Sequence, residues 1–256
     1  MARSFLSVGL HAQIFLPAIT MHMDPWNLFL LANSRVWSIC SKNWWRFMPN
    51  PMPRTSKARI VFLVGGIASG KSSVASQLEQ LDAIRIDLDQ ISREVLAPGS
   101  ALLKHIAKEF GADLIQADGS LDRKKLALRA FATAERTAAL EALELPAIKN
   151  KLVEQVKRIQ AAQIQVPCVV VEVPLPDKMG PLLKLADEVL GVICPLELRR
   201  VRAIGRGMSE QDFDRRAARQ LSDADLLALC DSTLDNSGDQ EGLKEQVQNW
   251  WNERFV

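Results

Sequence analysis

Cysteine, histidine, long apolar runs and an excess of charge of one sign are all scarce or missing in this sequence of 256 residues. Its four cysteines, Cys40, Cys168, Cys194 and Cys230, form no C-x-x-C pair, and only three histidines are present. This excludes a zinc cluster of the usual spacing and is typical of reduced thiols in a cytosolic protein. No uninterrupted run of about 20 apolar residues occurs, so we expect no membrane-spanning helix.

The charge balance excludes a second group of partners. The formal net charge is +2, which is too small to indicate nucleic acid or an anionic membrane as the main partner. With 48% hydrophobic and 24% charged residues, the chain has the composition of an ordinary soluble globular protein. Any anionic ligand must therefore be held by a local group of residues, and nothing in the composition indicates an oligomeric state.

Residues 1–55 differ in composition from the rest of the chain. They contain four of the six tryptophans and carry a net charge of +4, whereas residues 56–256 carry −2. Three interpretations are open: a secretory signal, a membrane-interface anchor, or a disordered or artefactual extension, with translation naturally starting at Met48 or Met52. The interrupted apolar pattern favours the third, so we assign the folded domain to residues 56–256.

The most informative stretch of the chain is an apolar run, Ile60–Val64, followed by the residues Gly65-Gly66-Ile67-Ala68-Ser69-Gly70-Lys71-Ser72. The second part fits G-x-x-x-x-G-K-[ST], the phosphate-binding loop. The apolar run predicts a buried strand, and Val74, Leu78 and Leu81 follow the loop at helical spacing. The motif therefore lies in the strand–loop–helix context that it requires.

The residue types of this loop explain how it can bind a triphosphate. Glycines leave room for backbone N–H groups to surround phosphate oxygens, and the helix that begins near Gly70 directs its positive end at them. Lys71 reaches the β- and γ-phosphates, and the Ser72 hydroxyl binds Mg²⁺. The sequence thus predicts that a nucleoside triphosphate is bound by Gly66, Ile67, Ala68, Ser69, Gly70, Lys71, Ser72 and Ser73.

After the loop, apolar runs alternate with helical stretches, which is typical of a parallel α/β sheet. Strands are predicted at 83–86, 168–174, 188–193 and 232–234, and helices at 100–110, 123–143, 147–163 and the C-terminus. The strands at 168–174 and 188–193 are apolar without alternation, so we expect them to be central. Asp87 and Asp89 follow a strand, and their carboxylates should lie at the mouth of the ligand crevice.

Residues 196–220, called the arginine-rich segment below, have the highest density of arginine in the chain. Arg202 and Arg206 lie four residues apart on one predicted helix face, and Gly207 follows them as a hinge-like residue. This pattern fits either a solvated helix face or a lid that closes over phosphates.

Taken together, residues 60–251 resemble the dephospho-CoA kinase family. The resemblance is carried by the phosphate-binding loop, residues 86–99 with the pattern Asp-x-Asp-x-Ile-x-Arg, Asp118-Gly119-Ser120-Leu121-Asp122-Arg123, Val173-Pro174-Leu175, Arg202 with Arg206, Gln220 and Asp235-Asn236. It implies a P-loop NTPase-type open parallel sheet flanked by helices, with a helical CoA-substrate region at about 100–165 and a lid at about 196–220. It also implies a cytoplasmic enzyme that transfers the γ-phosphoryl group of ATP, with Mg²⁺, to the ribose 3′-hydroxyl of dephospho-CoA.

The same resemblance assigns roles to individual residues. Lys71, Asp89, Arg202 and Arg206 should carry the reaction, with Asp89 as the base for the hydroxyl proton and the arginines on the phosphates. Asp87, Asp89, Arg93 and Arg123 should meet the acceptor, and Asn236 the adenine side of ATP. Asp87 can instead be a strand-end cap, and Arg123 a helix cap.

The sequence departs from the family pattern on the acceptor side. Leu145-Pro146 stands where His-Pro is frequent, Pro174-Leu175-Pro176-Asp177-Lys178 stands where Pro-Leu-Leu-Phe-Glu is usual, and the turn after Arg206 is one residue shorter. Two alternatives therefore stay open: a P-loop kinase of another small hydroxyl acceptor, and a non-catalytic nucleotide-binding paralogue. Paired carboxylates favour a hydroxyl acceptor over a phosphate, because they repel an anion.

The boundary in composition generates a first prediction. Deleting residues 2–51 should leave folding and ATP turnover intact, because the sequence pattern of the domain begins only after them. Thermal unfolding and ATP turnover of the shortened chain, compared with the full-length chain, measure this. A shortened chain that is insoluble or inactive would contradict the assignment of residues 1–55 to an extension outside the domain.

Overall fold

The computed structural model describes residues 57–162 and 166–256. Five strands form one sheet: β1 (Arg59–Gly65), β2 (Ile84–Asp87), β3 (Cys168–Glu172), β4 (Glu188–Ile193) and β5 (Ser232–Asp235). All the pairings are parallel, and the order β2-β3-β1-β4-β5 places β1 at the centre. The predicted open parallel sheet is confirmed, and β3 and β4 flank its central strand as their apolar runs indicated.

Helices connect the strands and cover both faces of the sheet, and short 3₁₀ turns occur at Ala112–Leu114, Pro176–Lys178 and Gly180–Leu185. In the described ranges the helices are α1 (Lys71–Gln80), α2 (Leu88–Val95), α3 (Ala101–Phe110), α4 (Arg123–Ala130), α5 (Ala134–Ala161), α6 (Leu196–Gly205), α7 (Glu210–Ala217), α8 (Asp223–Leu227) and α9 (Gln240–Phe255).

The central strand β1 is buried on both faces because alternate side chains enter two different cores. Val61 and Leu63 pack with α1 and α9, whereas Ile60, Phe62 and Val64 pack with α2 and α5. Alternation of side chains along a strand assigns them in this way. A strand covered on both sides reads as a continuous apolar run, which is the signal that the sequence carries.

A third apolar cluster lies among the helices α3, α4 and α5. It contains Leu103, Ile106 and Phe110 of α3, Leu126 of α4 and Leu140 of α5. The helix α5 also packs on the sheet through Leu152 and Val156, so it joins the helical region to the sheet. Helical structure was predicted for this part of the chain, at about 100–165.

The prediction of two helices, at 123–143 and 147–163, is wrong about the position at which one helix ends and the next begins. The break falls before Ala134, where the Thr133 side chain accepts a hydrogen bond from the N–H of Arg136 at 3.3 Å and begins α5. The helix then continues through Pro146, which is exposed. A proline within a helix removes one backbone hydrogen bond. Buried Leu140 and Leu152 on either side hold the two halves in one helix.

Some of the sequence predictions concern residues that the structure does not describe. Residues 1–56 and 163–165 lie outside the described part. The extension with its alternative start sites and the reduced state of Cys40 therefore stay predictions. The thiols of Cys168, Cys194 and Cys230 are free, and burial raises the pKa of Cys168 to about 12. Among the helices of the described ranges, none combines the length and the apolar character needed to cross a bilayer.

The C-terminal helix is tied to the sheet by Glu188, the first residue of β4, whose surface is only 3% exposed. Its carboxylate accepts hydrogen bonds from Trp250 Nε1 at 2.9 Å, Arg254 Nε at 2.8 Å and Ser232 Oγ at 2.5 Å, and Arg59 Nη2 lies 3.1 Å away. Burial alone would raise the pKa of Glu188, but the hydrogen bonds outweigh it and hold the pKa below its usual value.

Glu188→Gln should therefore lower the free energy of unfolding by about 3 kcal/mol at neutral pH, because two arginines lose their shared counter-charge. Chemical denaturation measures the loss. Because the pKa of Glu188 is lowered by folding, its contribution is full above the usual carboxylate range and is lost as the pH falls through the folded-state pKa.

The control for this prediction is Glu245→Gln, since Glu245 is exposed on α9, the helix that Glu188 binds. It should change stability by less than about 0.5 kcal/mol. Equal effects of the two substitutions would show that the Glu188 network does not stabilise the fold.

Candidate active site

A cleft of about 390 Å³ opens at the carboxyl ends of β1, β2 and β3. Parallel strands end at the same edge of a sheet, which brings together groups that are far apart in sequence. The cleft is lined by residues 67–73, Asp87, Asp89, Glu172, Pro174, Leu175, Arg206, Arg216, Arg219 and Gln220.

The phosphate-binding loop forms the floor of this cleft and leads directly into α1. Gly70 is the N-cap of α1 and has a φ of 104°, a backbone conformation that a side chain would strain. A Cβ at this position would also lie 2.1 Å from Asn236 Nδ2. Glycine is therefore required at position 70 by the backbone and by a neighbouring side chain together.

Lys71 lies within the loop and close to acidic side chains of the cleft. Its Nζ donates hydrogen bonds to the carbonyl oxygens of Gly65 at 2.7 Å and Gly66 at 3.2 Å. Burial lowers the pKa of Lys71, while the carboxylates of Glu172 and Asp89 act in the opposite direction. The lysine is thus hydrogen-bonded to the loop and lies within the electrostatic reach of the acidic side chains of the cleft.

Asp87 and Asp89 form the acidic wall of the cleft, where β2 turns into α2. Asp87 is the last strand residue, and its Oδ1 accepts a hydrogen bond from the N–H of Asp89 at 2.8 Å, so it does cap the helix. Asp89 lies in the first helical turn. Partial loss of water in the cleft raises the pKa of Asp89 and Asp87 adds to the effect, whereas Lys71 and two arginines oppose it. A carboxylate with a raised pKa is suited to accept a proton.

Glu172 is a site residue that the sequence reasoning missed. It ends β3, is 5% exposed, and accepts a hydrogen bond from Ser72 Oγ at 3.1 Å. Its second oxygen is bound by Arg85 of β2, with Nε at 2.5 Å. The signal was present in the sequence, because Glu172 is a carboxylate at the end of a buried strand, as Asp87 is.

The arginine-rich segment contributes basic side chains to the cleft lining. Of its arginines, Arg206, Arg216 and Arg219 line the cleft, and Arg216 is close enough for its charge to oppose the raised pKa of Asp89. Gln220 closes the segment: its Oε1 accepts from the N–H of Ile67 at 2.6 Å and its Nε2 donates to the Pro174 carbonyl at 3.3 Å. The segment is therefore attached to the loop and to the end of β3.

Two predicted ATP-side residues lie behind the loop and outside the cleft lining. Asn236 is buried and its Nδ2 donates to the Ser69 carbonyl at 2.7 Å. Arg202 donates through Nη1 to the Asn236 carbonyl at 2.9 Å and to Cys194 Sγ at 3.3 Å. The structure brings these two residues together beside the loop, and their roles at ATP stay predictions.

Two predicted acceptor-side residues also lie outside the cleft lining. Arg93 is exposed and follows Asp89 by four residues on α2, so the two share a helix face, and its charge opposes the raised pKa of Asp89. Arg123 is exposed at the first residue of α4. Burial raises the pKa of Glu144 to about 7, which the charge of Arg123 partly offsets. Arg123 is thus placed in the helical region.

One of the residues that depart from the family pattern, Lys178, is linked to the helical region by an ion pair. Lys178 Nζ lies 3.1 Å from Glu141 of α5, and Arg219 Nη2 lies 3.6 Å from the same carboxylate. The guanidinium of Arg219 also stacks on the ring of Phe131 at 4.0 Å. Through Glu141, Lys178 and Arg219 therefore connect the segment after β3, the helical region and the arginine-rich segment.

The oxygen ligands of the cleft fit Mg²⁺. The Ser72 hydroxyl and the carboxylates of Glu172, Asp87 and Asp89 face one space, and hard oxygen ligands are those that Mg²⁺ prefers. In the described ranges, no three histidine, cysteine or acidic side chains converge enough to hold a metal ion alone. An ion bound mainly by a nucleotide and a hydroxyl agrees with both findings.

Known proteins share both the sequence and the fold of this domain. The family model described as dephospho-CoA kinase matches residues 59–241. The dephospho-CoA kinase of Corynebacterium diphtheriae is 39% identical over 199 residues, which are 77% of this chain and 98% of that protein. The enzyme of the same name from Corynebacterium jeikeium is 41% identical over 190 residues, 74% of this chain and 96% of that protein.

A solved structure, the dephospho-CoA kinase from Campylobacter jejuni, has the same fold, with a TM-score of 0.59 at 23% identity over 76% of this chain and 96% of that chain. The family match begins at the first residue of β1 and ends within α9, so it includes every element that lines the cleft. The resemblance read from the sequence is confirmed, and the chain belongs to the dephospho-CoA kinase family.

Proposed function

We propose that this protein transfers the γ-phosphoryl group of ATP to the ribose 3′-hydroxyl of dephospho-CoA, which gives CoA and ADP. The observation that carries the proposal is the presence, in one cleft, of a phosphate-binding loop and an aspartate with a raised pKa, Asp89. The first group suits the donor triphosphate and the second suits a hydroxyl acceptor.

On the donor side, the loop and α1 bind the phosphates through backbone N–H groups and the helix dipole. Lys71 then exchanges its contacts with the carbonyls of Gly65 and Gly66 for the β- and γ-phosphates. Ser72 would hold Mg²⁺, which would supply charge neutralisation when bound, and Glu172 orients the Ser72 hydroxyl. Charge neutralisation is the main requirement of phosphoryl transfer.

On the acceptor side, Asp89 accepts the proton of the attacking hydroxyl. A sugar hydroxyl is a poor nucleophile, and a carboxylate within hydrogen-bond reach increases its reactivity. Asp87 holds the first turn of α2 and so fixes the position of Asp89. The acceptor's remaining length extends towards Arg93, Arg123 and the helical region.

The arginines of the cleft stabilise the transferring group. Arg206 and Arg216 line the same cleft as Asp87 and Asp89 and supply positive charge to it. A guanidinium is permanently charged and offers paired donors that match phosphate oxygens. Arg202, which donates to the Asn236 carbonyl, is proposed to act on the phosphates of ATP.

The identity of the acceptor is tested by ATP consumption. With Mg-ATP, the purified protein should form ADP when dephospho-CoA is supplied and not without it, because Asp89 needs a hydroxyl in reach. A dephospho-CoA analogue that lacks only the 3′-hydroxyl should bind without turnover. ADP release, measured over a panel of nucleosides, nucleotides and sugar alcohols, gives the comparison.

Two results would contradict the proposal. Turnover with another hydroxyl acceptor but not with dephospho-CoA would identify a different P-loop kinase. Binding of Mg-ATP without turnover on any acceptor would favour the non-catalytic paralogue. The departures at Leu145 and at Pro176-Asp177-Lys178 are the reason to include both outcomes in the test.

Asp89→Asn should lower kcat by about 10²- to 10⁴-fold while Mg-ATP binding stays unchanged, because the amide cannot accept the proton. In the wild-type protein, kcat/KM should fall as the pH drops through the raised pKa of Asp89, since the base must be unprotonated. This acid limb should be absent from the residual activity of the variant. A pH profile of both proteins measures the difference.

The matched control is Asp87→Asn, which weakens the cap of α2 but keeps the base. It should reduce kcat by a smaller factor and retain the acid limb. Wild-type turnover in Asp89→Asn, or an unchanged acid limb, would remove Asp89 from the mechanism.

A further inference from the structure

Arg199 of α6 is a buried arginine that the functional site described above does not use. Its surface is only 6% exposed, which is rare for a charged side chain. One guanidinium nitrogen, Nη2, donates to both oxygens of Asp223 at 2.7 and 2.9 Å, whereas the buried Nε has no hydrogen-bond partner. The burial of this charge therefore calls for an explanation beyond the ion pair.

The guanidinium lies directly over Gly66 in the phosphate-binding loop. A Cβ at Gly66 would be 1.7 Å from Nη1 and 2.8 Å from Cζ of Arg199, and the three nearest atoms all belong to this arginine. Gly66 is not among the residues of positive φ, so its backbone accepts any side chain. A side chain at the second position of the loop would therefore have to displace the Arg199 guanidinium.

The charge of Arg199 also reaches the cation of the loop. Burial is the main cause of the lowered pKa of Lys71, and the charge of Arg199 acts in the same direction. Its partner Asp223 has a side chain that is 57% exposed, so water screens the acid more than the buried guanidinium. A fixed positive potential is therefore left on the loop side of the pair.

We propose that Arg199 is a positioning residue of the donor site, which holds the Gly66 peptide in place and adds a permanent positive charge behind the phosphate-binding loop. It strengthens Mg-ATP binding without contact with the nucleotide. The inference rests on the proposed function only in that the loop binds Mg-ATP, and the acceptor does not enter it.

A double-mutant cycle tests this role through equilibrium binding of Mg-ATP, measured by calorimetry without any acceptor. Arg199→Met removes the charge and the contact with Gly66. Gly66→Ala places a methyl group where Nη1 lies and displaces the guanidinium. Arg199→Met should weaken binding about tenfold, as expected for loss of one nearby charge in partly screened surroundings. Gly66→Ala should have a similar effect, because the methyl group moves the guanidinium away from the loop.

The double variant should also bind about tenfold more weakly, because both substitutions remove the same interaction. Additive losses, about a hundredfold together, would overturn the proposal, and so would unchanged binding in Arg199→Met. Lys244→Met, which removes a positive charge from an exposed site on α9, is the control and should leave Mg-ATP binding unchanged.

Arg199→Lys keeps the test decisive if Arg199→Met does not fold. Lysine retains the charge but has no second nitrogen over Gly66, so Gly66→Ala should cost less than about threefold in this background. A full tenfold cost of Gly66→Ala there would overturn the proposal. Because only nucleotide binding is measured, a failure of dephospho-CoA as substrate refutes the proposed function and leaves this inference intact.

Discussion

The pairing of β1 with a neighbour on each edge is the constraint on which the rest of the domain depends. Leu63 aligns with Glu172 on β3 and with Leu190 on β4, so the carboxyl ends of the three strands lie side by side. The phosphate-binding loop leaves from this point. The register is what brings Glu172 within hydrogen-bond distance of Ser72, 100 positions earlier in the chain.

Local pattern was enough to predict the sheet, the loop and the acidic wall. The side chains of β1 are buried on both faces of the sheet, so its sequence is apolar throughout and does not alternate between apolar and polar residues. The glycine-rich motif follows this run directly. Asp87 and Asp89 were placed by the same rule, since carboxylates at strand ends face the crevice. A C-terminal helix was also predicted correctly, and it packs on the sheet through Leu243, Val247 and Trp250.

Contacts between distant elements could not be predicted in this way. Arg199 and Asn236 meet the loop only because β4 and β5 follow β1 in the sheet order, and no local spacing encodes that order. Pro146 was misjudged for a related reason. Its local cost is one lost hydrogen bond and a clash of its ring with the carbonyl four residues earlier, whereas the helix around it is held by apolar contacts with the sheet and with α3.

The glycines of the loop have a second purpose beside access to phosphate. At Gly66 and Gly70, the space that a side chain would take is filled by Arg199 and Asn236. The loop is thus packed tightly from the side of the protein. Preorganised groups of this kind need little rearrangement when charge develops in a transition state.

The two hydrogen bonds of Gln220 have a consequence for how the cleft opens. Movement of the arginine-rich segment away from the loop must release both the Ile67 N–H and the Pro174 carbonyl. Arg219 of the same segment also contacts Glu141 and Phe131 of the helical region, so the open arrangement loses several favourable contacts at once and is the less populated one. The walls of the cleft are then assembled most of the time, and the entry and exit of ligands depend on a minor population.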